Sequence, residues 1–162
     1  MASPMKLAII FNTKRLSSQL TKLFTGCYAY HVAWVDVENN VMYDMNLLRR
    51  RRPWPYYTHK YAQVRIYEVP GNVTREFLEN KLTSDESHYG YIDYLLFALR
   101  PLYHLFGQST RNAGGVICSE MIINDIVETG GGADTPLSLQ TSVPSPCDIY
   151  RWLKPQGECG CE

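Results

Sequence analysis

Cys118 sits in the stretch GGVICSEMI, residues 114–122, after two glycines and two β-branched residues and before a serine–glutamate pair. That is where a helix would begin. A thiol in the first turn of a helix faces the positive end of the helix dipole and a set of unsatisfied N–H groups, and both favour the reactive thiolate. The same position also suits a small buried apolar residue. His31 bears on the choice, because it lies inside the apolar stretch CYAYHVAWVDV, where an imidazole needs a polar partner to be tolerated. Strand alternation puts Ala29, His31, Ala33 and Val35 on one face, so small neighbours leave room beside the ring. The turn-forming ENN at residues 38–40 then folds this stretch against VMYDM. Such a hairpin brings Asp44 within a register step of His31. A carboxylate there would orient the imidazole and stabilise its charged form. Asn46, two residues on and on the same strand face, is the alternative for that role.

Cysteine, histidine and an orienting polar residue are the parts of a thiol nucleophile triad. Their order in this chain is histidine, acid, cysteine, with the cysteine on a late helix. Papain-like enzymes of the ordinary kind carry the cysteine helix first and the histidine hairpin afterwards. The segments LSSQLTKLFTGCYAYHVAWV, VMYDM, SHYGYIDYLLFAL, GGVICSEMI and SPCDIYRWL, in this order over roughly residues 8–153, resemble the circularly permuted branch of the NlpC-type papain-like cysteine peptidase and amidase superfamily. The resemblance implies an α+β fold, an antiparallel sheet packed against a cysteine-bearing helix, and amide or acyl-transfer chemistry. It also implies Cys118 as nucleophile and His31 as base. Asp44 matches a position often held by glutamate, and Tyr30 stands where a serine commonly precedes the histidine. Such domains occur in bacteriophage genomes, which makes a phage origin an expectation too.

The implied function is a thiol-dependent hydrolase acting on a peptide, amide or acyl substrate through an acyl-enzyme, with no cofactor. Two alternatives stay open: a lipid or thioester acyltransferase on the same fold, and a non-catalytic phage protein that binds a host protein target. Tyr89, Tyr91 and Tyr94 open an apolar helix and are candidates to line the substrate cleft. Cys159 and Cys161, taken with Cys147 and His59, lack the paired spacing of zinc sites, so no metal is expected.

These residues need elements to hold them. MKLAIIF and AQVRIYEV read as strands, RLSSQLTKLFTG as a helix with Leu16, Leu20, Leu23 and Phe24 on one face that stops at Gly26, and NVTREFLENKL as a helix capped by Asn72 or Thr74. Tyr91 to Phe106 reads as a buried helix, too short and too charged for the roughly 20 apolar residues of a membrane span. Ser145, Pro146 and Asp148 stand in capping-box order for a last helix. The run RRRRPWPYYTHK reads as a solvated polar insertion between strands, with the arginines Arg49 to Arg52 open to phosphate or an acidic partner. The chain has 162 residues, 45% hydrophobic, with 16 Lys+Arg against 16 Asp+Glu. That suits one domain over residues 1–155 with a flexible tail at 156–162, and gives no net field to attract nucleic acid or an anionic membrane. Five cysteines without secreted-domain spacing, and no signal-peptide pattern, read as a cytoplasmic chain with reduced thiols.

Overall fold

The computed structural model describes residues 4–14, 16–46, 48–56, 62–84, 118–141 and 143–154. The expected buried helix Tyr91–Phe106, the tyrosines Tyr89, Tyr91 and Tyr94, the pair Gly114–Gly115, His59, and Cys159 and Cys161 in the expected tail lie outside them.

Five antiparallel strands form one sheet in the order β4-β3-β2-β1-β5. They are β1 (Lys6–Asn12), β2 (Ala29–Asp36), β3 (Val41–Asn46), β4 (Leu48–Pro53) and β5 (Ala62–Tyr67). The helices are α1 (Leu16–Thr25), α2 (Arg75–Ser84), α3 (Cys118–Ile126), α4 (Leu137–Thr141) and α5 (Pro146–Leu153). The fold is thus α+β, with α3 and α5 packed on β2. Among the described residues, no helix is long and apolar enough to cross a membrane.

The pattern of α3 explains its seat. Cys118, Met121, Ile122, Asp125 and Ile126 are all buried and follow the spacing of a single helix face. They meet Leu7, Ile9, Val32, Trp34, Tyr43 and Met45 of the sheet, with Cys147 and Ile149 of α5 closing the cluster. The other face of the sheet is buried as well, through Ala8, Ile10, Ala33, Val35 and Met42. Gly26 ends α1 at φ +82°, its N–H bonded to Lys22 O. Ser145 and Asp148 form the full capping box of α5, and Thr74 rather than Asn72 caps α2, accepting from Phe77 N at 3.2 Å.

Four expectations are corrected. The arginine run is not a solvated insertion: Arg49 to Arg52 form most of β4 and pair in register with β3 from Asn46↔Leu48 to Val41↔Pro53. Alternation along the strand puts Arg49 and Arg51 on the face of Met45 and Tyr43 and Arg50 and Arg52 on the opposite face. On each face one arginine, Arg49 or Arg52, is half-buried while the other is exposed. Ala29 does not share a face with Ala33 and Val35. The β1 register steps from Ile10↔His31 to Phe11↔Ala29, so Tyr30 is an extra, bulged residue, and Ala29 joins Val32 and Trp34. The face expected of α1 is not fully covered by the described residues, since Leu16 and Leu23 are 72% and 75% exposed. Finally, Cys27 and Cys147 are joined in a disulfide, so not all thiols are reduced.

Asp125 puts a carboxylate inside the apolar face of α3, where it is fully buried. Arg49 answers it with two hydrogen bonds, Nη1 to Oδ2 at 2.9 Å and Nη2 to Oδ1 at 3.0 Å, and Trp34 Nε1 donates to Oδ2 at 2.8 Å. Burial pushes the Asp125 carboxyl up, and Arg49 and Trp34 pull it back. This network links β4, β2 and α3. Removing one partner of a buried pair strands the other charge, at about 3–5 kcal/mol, whereas an exposed side chain contributes within about 0.5 kcal/mol. Arg49→Met is therefore expected to lose most of that larger amount in denaturant unfolding, and Arg50→Met almost nothing. Equal small losses would return the run to a solvated surface.

Candidate active site

His31 occupies the strand directly after the bulge at Tyr30, a device that re-aims a side chain. Its own side chain is 10% exposed and that of Asp44 is fully buried. Asp44 lies on β3, whose register with β2 runs Trp34↔Tyr43, Val35↔Met42 and Asp36↔Val41. That hairpin brings His31 Nε2 to 3.1 Å from Asp44 Oδ2. The carboxylate accepts the Nε2–H, which leaves Nδ1 as the ring nitrogen for a second partner.

The ring also interacts with Cys118, the first residue of α3, a free thiol 7% exposed. Burial opposes a charge on His31, but its electrostatic interaction with Cys118 and its hydrogen bonds with Asp44 and Cys118 outweigh it and raise the imidazole from 6.5 to about 9. The three residues singled out from their types and spacing therefore form one constellation. Ser119, fully buried, donates to Pro144 O at 2.6 Å and fixes the first turn of α3 to the segment leading into α5. The disulfide Cys27–Cys147 ties that same helix to the start of β2, four residues before His31. The thiol-bearing helix is thus tied by a hydrogen bond to the segment before α5, and α5 is tied covalently to the approach to β2.

Asp44 has a further partner that the sequence did not indicate. Its second oxygen, Oδ1, accepts from Arg52 Nε at 3.1 Å. Arg52 was missed because one arginine in a run of four looks like its neighbours. The signal that would have found it is the alternation of β4 opposite a buried acid. Asn46 ends β3 paired with Leu48, and its side chain lies outside the described set, as do the cleft candidates Tyr89, Tyr91 and Tyr94. Comparisons with family models, with curated proteins and with solved structures returned no match.

The arrangement can hold an imidazolium between a thiolate and a carboxylate. Because the folded-state value of His31 lies above the unfolded one, its contribution to stability is full below pH 6.5 and is lost as pH rises through about 9. The expected His31 ring titration, followed by NMR, has its midpoint near 9, and in Cys118→Ala it moves down because the interaction with Cys118 is gone. A midpoint near 6.5 in both proteins would dissolve the pairing.

Proposed function

We propose that the chain is a thiol-dependent hydrolase, a permuted papain-like peptidase or amidase, with Cys118 as nucleophile, His31 as acid and base and Asp44 as the residue that orients His31. One observation carries this reading: a nearly buried imidazole held by a carboxylate on one side and by a helix-initial thiol on the other. A purely structural histidine needs a polar partner of any kind for each ring nitrogen. This one has two, and they are of the types and charges that nucleophilic catalysis uses. The order of elements, with the histidine hairpin before the cysteine helix, favours the permuted form of the family over the ordinary one.

The chemistry follows from the pair. The Cys118 thiolate attacks the carbonyl carbon of an amide or ester, forming an S–C bond and a tetrahedral oxyanion. The N–H groups at the first turn of α3 are free of intrahelical acceptors and are the natural donors to that oxygen. Collapse of the intermediate breaks the bond to the leaving group, which takes the proton from His31. His31, now neutral, removes a proton from water, whose oxygen attacks the thioester. The acid product leaves, and thiolate and imidazolium are restored. Asp44 keeps the ring oriented throughout and balances its charge.

Intact-mass analysis after incubation with peptide, amide and acyl-thioester libraries tests this directly. The expected result is an acyl adduct on Cys118 that water clears, with none formed in Cys118→Ser. An adduct cleared only by an added acceptor would turn the reading to acyl transfer. With the disulfide intact, iodoacetamide at pH 6–7 is expected to label Cys118, and a thiol that stays unlabelled in the folded protein would overturn the proposal. Asp44→Asn is expected to slow turnover by orders of magnitude, on the order of 10⁴-fold in the serine-protease comparison. Melting should fall as well, because Arg52 is left without its buried counter-ion. Full activity would exclude Asp44 from the third role.

A further inference from the structure

Asp44 can orient His31 only if its own carboxylate plane is held. Torsion about the bond to the carboxyl carbon would otherwise turn Oδ2 away from the ring at little cost. In the register of the β3–β4 ladder the residue directly opposite Asp44 is Arg50, which is exposed. The hydrogen bond comes instead from Arg52, on the diagonal, with Nε to Oδ1 at 3.1 Å and a side chain only 16% exposed. The Arg52 guanidinium in turn lies 4.5 Å from the centroid of the Tyr56 ring, a face that attracts a cation and limits its swing.

We infer that Arg52 is a positioning residue for the active site, aiming Asp44 at His31 through its directed Nε–H bond while Tyr56 steadies the guanidinium. The inference rests on the catalytic reading of Cys118, His31 and Asp44. Each Asp44 oxygen then has a separate duty: Oδ1 is anchored by Arg52 and Oδ2 is presented to the ring. The charges that act on His31 include Cys118 on α3 and Asp44 on β3, and Arg52 on β4 pairs with Asp44. The ring of Tyr30 lies beside that of His31, with centroids 6.4 Å apart. Arg52 counters the charge of Asp44 through the Nε–Oδ1 bond. Its loss therefore acts on His31 through Asp44, by removing the directed bond to Oδ1.

The test uses the full chain with iodoacetamide as the probe and needs no substrate. Two quantities are read: the second-order rate of Cys118 alkylation at pH 6.5, and the NMR titration midpoint of His31. Arg52→Met is expected to lower the midpoint from its wild-type value and to slow alkylation on the order of 10- to 100-fold, the size associated with removing an outer partner of a functional imidazole. Arg52→Lys keeps the charge but loses the directed Nε–H, and is expected to fall between. Arg50→Met, exposed and opposite in register, is expected to match wild type in both. Wild-type values in Arg52→Met, with Cys118→Ala still lowering the midpoint, would overturn the positioning role and leave the catalytic reading standing. A midpoint near 6.5 in the wild type would remove the reading beneath it. Should Arg52→Met fail to fold, Arg52→Lys decides: wild-type behaviour there reduces Arg52 to a point charge and overturns the inference.

Discussion

A carboxylate with no solvent exposure must be compensated where it lies, because the cost of stripping water from an unpaired charge is more than the rest of a small domain can absorb. Asp44 is such a carboxylate, and it is compensated from two sides, by the imidazole of β2 and by the guanidinium of β4. The hairpin strands on either side of β3 are thereby committed to one arrangement about it. His31 gains a fixed ring orientation, and with it a direction for its remaining nitrogen. The site's geometry is in this sense a by-product of satisfying one buried charge.

A second buried acid does the same work on the helix side. Asp125 draws Arg49 and Trp34 to α3, and so fixes the helix that carries Cys118 against the sheet that carries His31. The two half-buried arginines come from one run, one serving each acid, and the residues between them remain at the surface. Structural and functional electrostatics are therefore not separate systems here. Both hang from a single edge strand, and the apolar cluster around Trp34, Ile122 and Ile126 holds that geometry by packing.

The site was more legible in the sequence than its support. His31 stands out because an imidazole inside an apolar strand calls for a partner, and turn arithmetic at residues 38–40 points across the hairpin to Asp44. The cysteine helix and the capping box of α5 are likewise written in local residue order. The arginines were not legible, since a basic run has the same composition whether it is solvated or alternates in a strand. The partner of Arg49 lies far along the chain, at Asp125, 76 positions on, and that of Arg52, though only 8 positions away, is set by the strand register. The bulge at Tyr30 has no glycine or proline to announce it, and so the face of Ala29 was misassigned. An odd number of cysteines says nothing about which two will meet, and Cys27 and Cys147 are brought together only by the fold.

Four identical side chains in succession carry no information about alignment. If β4 slid by two residues along β3, a guanidinium would again stand near each acid, and every local charge pairing could be re-formed. The correct alignment is distinguished only at the ends of the ladder. Asn46 lies against Leu48 at one end, Val41 lies against Pro53 at the other, and Trp54 N donates to Asn40 O at 3.0 Å beyond it. Pro53 has no N–H to offer a shifted partner, which makes it a stop rather than a spacer. The arginines supply attraction without discrimination, and the short segments that bracket them supply the discrimination. A change of length at either end of this hairpin would therefore misalign the site while leaving its full complement of charges in place.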